Sequence, residues 1–182
     1  MIYSFLQNGD SAVTVQFKNE ISEEVNRRVT GLCNRIEAKH INGIIELVPT
    51  FASLTVFYDC TIISSKKLKK KIEALINGKE CDVKSTAKVW NIPVCYDDEF
   101  ALDMKNVCSH TALEREEVIK LHTSKPYLIY MLGFLPGFAY LGGMDERLFT
   151  PRLKTPRLEI FEGAVGIGGE QTGIYPIASP GG

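Results

Sequence analysis

Residues 133–182 hold 11 of the 15 glycines and 5 of the 8 prolines of this chain. Glycine reaches backbone angles closed to other residues, and proline fixes one angle and removes a donor. A stretch so rich in both is either disordered or built from specified turns. Phe134, Phe138, Tyr140, Phe149, Phe161, Ile167, Ile174 and Tyr175 are among its many apolar anchors, more than a disordered tail carries. The composition therefore predicts specified turns, a backbone that brings main-chain N–H groups close to a ligand or another chain.

The 182 residues suffice for one large domain or two small ones, and a hydrophobic content of 45% supports a packed core. A net charge of −1 and a pI near 6.3 argue against broad electrostatic binding to nucleic acid or to an anionic membrane. The five cysteines, Cys33, Cys60, Cys81, Cys95 and Cys108, include no C-x-x-C pair, so no metal site is expected. An odd, scattered set fits the reduced thiols of a cytosolic protein. The opening MIYSFLQNGD lacks a basic stretch followed by an apolar run, and no secretory signal is expected. Pro126 to Met144 carries no charge over 19 residues. That approaches the ~20 of a membrane helix, but Gly133, Pro136, Gly137, Gly142 and Gly143 interrupt it. The expectation is a buried strand followed by a tight loop.

The periodicity predicts strands at 2–6 and 12–17, separated by Asn8-Gly9-Asp10. A helix follows from a Ser22 cap, with Ile21, Val25, Val29, Leu32 and Ile36 as its stripe and Asn42-Gly43 as its stop. Strands at 44–48 and 53–58 precede a helix over 65–76. Its lysines, Lys66, Lys67, Lys69, Lys70 and Lys71, read as a solvated face, with a docking patch for an acidic partner as the alternative. Two strands and a helix, twice over, predict a small α+β unit with helices on one face of an antiparallel sheet. The domains expected are 1–80, a polar linker over 81–88, and 89–182. The second region predicts a strand over 89–96, at an edge or bulged because of Pro93. After it come a short helix near 100–107, a capping box at Thr111–Glu114, a helix ending near His122 and a strand over 127–132.

Among motifs, Gly166-Ile167-Gly168-Gly169-Glu170-Gln171 invites a dinucleotide reading, but Gln171 stands where the third glycine belongs and no strong helix follows. A less standard anion cradle of glycine N–H groups stays open. No G-x-S-x-G elbow occurs, and Ser179 in Ala-Ser-Pro-Gly-Gly reads as a turn. His40 and His110 lie at helix edges; His122 directly precedes the glycine-rich region. Arg152 and Arg157 stand in Thr-Pro-Arg-Leu-Lys-Thr-Pro-Arg, where prolines stiffen the backbone behind a fork suited to carboxylate or phosphate. Glu170, Gln171, Thr172 and Tyr175 form a polar cluster in an apolar frame, lining a site or capping turns.

Three motifs then resemble one family in order and spacing. They are Gly133-Phe-Leu-Pro-Gly-Phe-Ala-Tyr-Leu-Gly-Gly143, Thr155-Pro-Arg157, and Gly163 to Pro176 followed by Ser179-Pro-Gly-Gly182. The chain is similar to the KipI / PxpB family, also called allophanate hydrolase subunit 1. The resemblance implies an α+β fold, with an N-terminal domain of ferredoxin-like type and a C-terminal cyclophilin-like β-barrel. It implies a cytoplasmic, non-autonomous subunit of a 5-oxoprolinase that hydrolyses 5-oxoproline to glutamate, using ATP with Mg held together with a partner chain. The implied partners are a homologous second subunit of KipA / PxpC type and a third of LamB/YcsF type. Alternatives are an inhibitor of a sporulation sensor histidine kinase and a component of an allophanate hydrolase or urea carboxylase. The family pattern continues past Ser-Pro-Gly-Gly, so an incomplete barrel is expected. Carried onto these motifs, His122 and Glu170 are the expected proton-transfer groups. Phe134, Pro136, Phe138, Tyr140, Arg152, Arg157, Gln171, Thr172 and Tyr175 are the expected binding residues.

Overall fold

A computed structural model describes residues 3–78 and 88–182. The linker expected over 81–88 lies outside them except for Lys88, as do Cys81 and the first residue of the expected 2–6 strand. The chain divides into two compact units, Met1–Thr86 and Ala87–Gly182.

In the first unit the alternation of apolar residues produces two hairpins. Strands β1 (Ser4–Asn8) and β2 (Ala12–Gln16) pair through the Gly9 turn, and β3 (Ile44–Pro49) pairs with β4 (Ser53–Tyr58). The antiparallel sheet runs β1-β2-β4-β3. Val13 opposes Val56 and Val15 opposes Leu54, so one face of the central pair is wholly apolar. Helices α1 (Glu23–Lys39) and α2 (Ser65–Ile76) cover it with Val25, Val29, Leu32 and Ile36, and with Leu68, Ile72 and Ile76. The reverse face carries Thr14 opposite Thr55, hydroxyl to hydroxyl at 2.7 Å. Helix α1 stops before Asn42-Gly43: His40 turns left-handed at φ 43° and its N–H reaches the Glu37 carbonyl. The strand–strand–helix duplication is as expected, and Lys66, Lys67, Lys70 and Lys71 lie exposed around the Leu68–Ile72 stripe.

The second unit departs further from its periodicity. No strand forms over 89–96; Val89 and Trp90 are each 66% exposed on irregular backbone. Pro93 withholds the donor that a ladder needs at mid-segment. The expected helix near 100–107 lies later, as α3 (Met104–Thr111) with Asp103 at its N-cap. The expected capping box does not form, because Thr111 is the last residue of α3. Its hydroxyl donates to the Val107 carbonyl at 2.8 Å, and Ala112 turns left-handed behind it. Glu114 opens α4 (Arg115–His122) instead.

The uncharged stretch 126–144 holds a hairpin, β5 (Leu128–Leu132) and β6 (Ala139–Gly142). Among the described residues no helix is long and apolar enough to cross a membrane. Strands β7 (Arg157–Ile160), β8 (Val165–Gly168), β9 (Gln171–Ile174) and β10 (Ser179–Gly181) complete the unit. They form a four-stranded antiparallel sheet, β5-β6-β9-β8, and a separate pair, β7 with β10. Ser179 therefore lies in a strand opposite Ile160, not in a turn. The α+β class with antiparallel sheets is the one expected from sequence.

The glycines serve two purposes, of which the turn reading captured one. Gly163 and Gly169 turn the chain at φ 81° and 67°. Gly142, Gly173 and Gly181 lie within strands, where aromatic rings occupy the space of a side chain. A Cβ on Gly173 would stand 2.7 Å from Phe138 Cζ, one on Gly181 2.5 Å from the Tyr175 hydroxyl, and one on Gly142 would collide with the Tyr130 ring.

These contacts set the expected cost of substitution in each unit. Leu54→Ala, at a fully buried position, should destabilise the first unit by about 2–5 kcal/mol in denaturant unfolding, whereas Lys70→Ala should change it by less than about 0.5 kcal/mol. Gly173→Ala should cost the second unit about 1–3 kcal/mol, read from its own thermal transition, because the Phe138 ring must shift.

Candidate functional site

The β8–β9 hairpin organises the site. Directly opposed residues share a face, so Ile167 and Thr172 project to one side, and Gly166 with Gly173 and Gly168 with Gln171 to the other. On the first side Thr172 meets His122, the buried last residue of α4. Thr172 Oγ1 donates to the Gly166 carbonyl at 2.9 Å and lies 3.1 Å from His122 Nε2. Its one proton is thereby spent, so Nε2 carries the hydrogen and donates to Thr172. Nδ1 in turn accepts from the Tyr96 hydroxyl at 2.6 Å. Burial pushes His122 below its ordinary value near 6.5, in keeping with this neutral form. Burial likewise raises Tyr96. Tyr127, whose hydroxyl donates to the His122 carbonyl at 2.7 Å, is pushed up to about 12, first by burial and then by Tyr96 and Asp145.

A cleft of about 960 Å³ opens within this unit. It brings together His122, Phe134, Phe138, Tyr140, Arg152, Arg157, Gln171, Thr172 and Tyr175. Two expected residues are not part of its lining. Glu170 is exposed at the tip that Gly169 makes between β8 and β9, and Pro136 is exposed beside Gly137 in the β5–β6 loop.

Four rings form one wall. Phe138 stands edge-to-face with Tyr140 at 4.9 Å and with Tyr175 at 5.1 Å, and Phe134 meets Phe138 at 5.6 Å. Phe138 is buried, while Phe134 is 59% exposed on left-handed backbone at φ 65°, a costly conformation for an aromatic residue.

The two arginines differ in a way that sequence did not indicate. Arg157 turns its fork onto Asp103, with Nη1 to Oδ2 at 2.6 Å and Nη2 to Oδ1 at 2.8 Å. Hydrogen bonding from Arg157 holds the Asp103 carboxyl below its usual range and raises the guanidinium in turn. The fork expected to face a ligand thus faces an N-cap. Arg152 is exposed and packs over Gly168, where a Cβ would stand 3.2 Å from its Nε. It makes no hydrogen bond or ion pair among the described residues. Gln171 Nε2 is buried without an acceptor. Sequence reasoning missed Tyr96 and Asp103. An aspartate directly ahead of a helix was a usable cap signal for the second, while Tyr96 offered none.

The described residues form no preset cradle for ATP with Mg. Among the described residues no group of three or more His, Cys, Asp or Glu could hold a metal ion. Asp103 is already paired, and the glycine turn lacks the lysine that cradles phosphates.

The chain matches the carboxyltransferase domain, subdomain C and D, over residues 3–182, and it belongs to that family. It is 43% identical to a 5-oxoprolinase subunit of Bacillus subtilis (strain 168) over 190 residues, covering 99% of this chain and 79% of that protein. It is 37% identical to the corresponding 5-oxoprolinase subunit of Haemophilus influenzae over 174 residues, covering 95% of this chain and 79% of that protein. The crystal structure of TTHA0988 superposes with a TM-score of 0.81 at 34% identity, over 94% of this chain and 33% of that one. The chain thus spans a third of that solved protein. The KipI / PxpB resemblance holds, and the curated relatives support a 5-oxoprolinase subunit role in a multi-subunit assembly.

His122 makes the stability of this unit depend on pH. Its folded pKa lies below its unfolded one, so the unfolded chain takes up the proton first, and stability is lost as pH falls below about 6.5. Asp103 acts only lower, because its stabilisation is present above the ordinary 3.8 and disappears below it. The thermal midpoint of the second unit's transition should fall between about pH 7 and about pH 5, a window that brackets the histidine's ordinary value. His122→Asn should flatten that slope; an unchanged slope would assign it to another group.

Proposed function

We infer that this chain is a non-autonomous subunit of an ATP-dependent 5-oxoprolinase, which opens 5-oxoproline to glutamate together with partner subunits of KipA / PxpC and LamB/YcsF type in the cytoplasm. The observation that carries this reading is the 43% identity to a 5-oxoprolinase subunit over 99% of the chain. The first unit is taken as ferredoxin-like in type, and the second as a cyclophilin-like barrel whose cleft receives the substrate. ATP supplies activation of the lactam carbonyl, and its site is assigned to the assembly of subunits.

The cleft's own residues have narrower roles. Both nitrogens of His122 are engaged, so it acts as a positioning residue that aims the Thr172 hydroxyl, not as a free base. Thr172, nearly fully buried on the face away from Phe138 and Tyr175, holds the β8–β9 hairpin to α4, while the two rings exclude water on the cleft face. Co-purify the three subunits and measure ATP hydrolysis with and without 5-oxoproline. Dependence on 5-oxoproline supports the reading; hydrolysis indifferent to it, with all three present, sinks it. Thr172→Val should lower kcat by about 10-fold through the hairpin it positions, because its bonds to His122 and Gly166 are lost.

A further inference from the structure

The geometry points to a carboxylate subsite formed by Arg152 and Gln171, built for a small cyclic acid whose ring lies against Phe138 and Tyr175. The inference rests on the 5-oxoprolinase reading for the identity of the acid, and on the structure alone for the subsite.

Gly168 and Gln171 are opposed across the β8–β9 ladder, so their Cβ directions share one face. The direction empty at Gly168 is filled by Arg152, which stands at 3.2 Å from the place of the missing Cβ. The guanidinium stem and the Gln171 carboxamide therefore lie on the same face of the same two-residue rung. A side chain at Gly168 would crowd the Arg152 stem, which would have to give by a few tenths of an ångström. Arg152 has no polar partner among the described residues, and Gln171 Nε2 is buried without one. Glu159 and Glu162 also line the cleft, yet neither forms an ion pair with Arg152. A buried donor beside an uncommitted fork is costly unless an acceptor arrives.

The next rung of the same face supplies the rest of the ligand. Gly166 and Gly173 are opposed there, with Tyr175 Cε2 3.4 Å from the one Cβ position and Phe138 Cζ 2.7 Å from the other. An apolar wall of two rings thus lies two ladder positions from the N–H donors, on the same face. That pairing suits a planar carboxylate on a small ring, whose two oxygens take parallel donors from guanidinium and amide. A tetrahedral phosphate would use the same donors but gain nothing from the ring wall. Arg157 is less suited, because its charge is already compensated by the paired Asp103 carboxylate.

The test titrates the purified full chain with 5-oxoproline, with its neutral carboxamide analogue and with inorganic phosphate, following chemical shifts. Wild type should bind the acid and bind the amide more weakly. Arg152→Gln should weaken the acid by about 10- to 100-fold and the amide by less than about 2-fold, the loss expected of a charge-assisted bond. Arg152→Lys should fall between, since it keeps the charge without the fork. Gln171→Leu should weaken the acid less than Arg152→Gln does. Acid binding that is absent, or equal in Arg152→Gln and wild type, overturns the subsite even where the assembled enzyme turns over 5-oxoproline. Phosphate binding that depends on Arg152 while the acid does not bind also overturns it. Arg152-dependent acid binding in a chain whose full assembly ignores 5-oxoproline keeps the subsite and removes the oxoprolinase reading.

Discussion

The buried imidazole of His122 holds the second unit's site together. It ends α4, and its ring and carbonyl are tied to three different segments: Tyr96 in irregular chain, Thr172 in β9, and Tyr127 before β5. A buried imidazole with an unmet nitrogen is costly, so Tyr96 and Thr172 are needed together, while Tyr127 satisfies the backbone carbonyl. Because Thr172 spends its proton on Gly166, the tautomer is determined, and with it the direction of every donor in the chain. The hairpin, the helix end and the cleft wall are thereby placed relative to one another by one neutral ring.

Packing around bare Cα atoms is the second constraint. Phe138 lies over Gly173 and the Tyr175 hydroxyl reaches Gly181, while Arg152 lies over Gly168. Apolar anchors and glycines thus belong to one device: rings approach strands at distances that a β-carbon would prevent, and a guanidinium approaches at one that it would crowd. This explains how a unit whose buried apolar cluster is as small as Val118, Leu121 and Leu148 can still order a glycine-rich tail.

Legibility differed between the units for physical reasons. In the first, hydrophobic period and buried face coincide, since every strand and helix packs on one core, and the strand–strand–helix repeat could be read directly. In the second, tertiary partners decide. Pro93 and exposure cancel an apparent strand over 89–96, and Thr111 is taken by the end of α3 before it can cap α4. Most of the residues singled out in sequence line the cleft, because polar groups among glycines stood out. Their commitments were not: nothing in Thr-Pro-Arg indicates that Arg157 meets Asp103 across 54 positions.

The amino-acid sequence by itself determined the α+β class, the first unit's order of elements and the family, because these rest on local period and on motifs in fixed order. Tertiary structure alone decided which groups are free to act. Arg152 and Arg157 each end a Thr-Pro-Arg triplet, yet a carboxylate folds against one and a bare glycine receives the other. Availability for binding depends on what lies opposite in space, and a linear pattern carries no term for it.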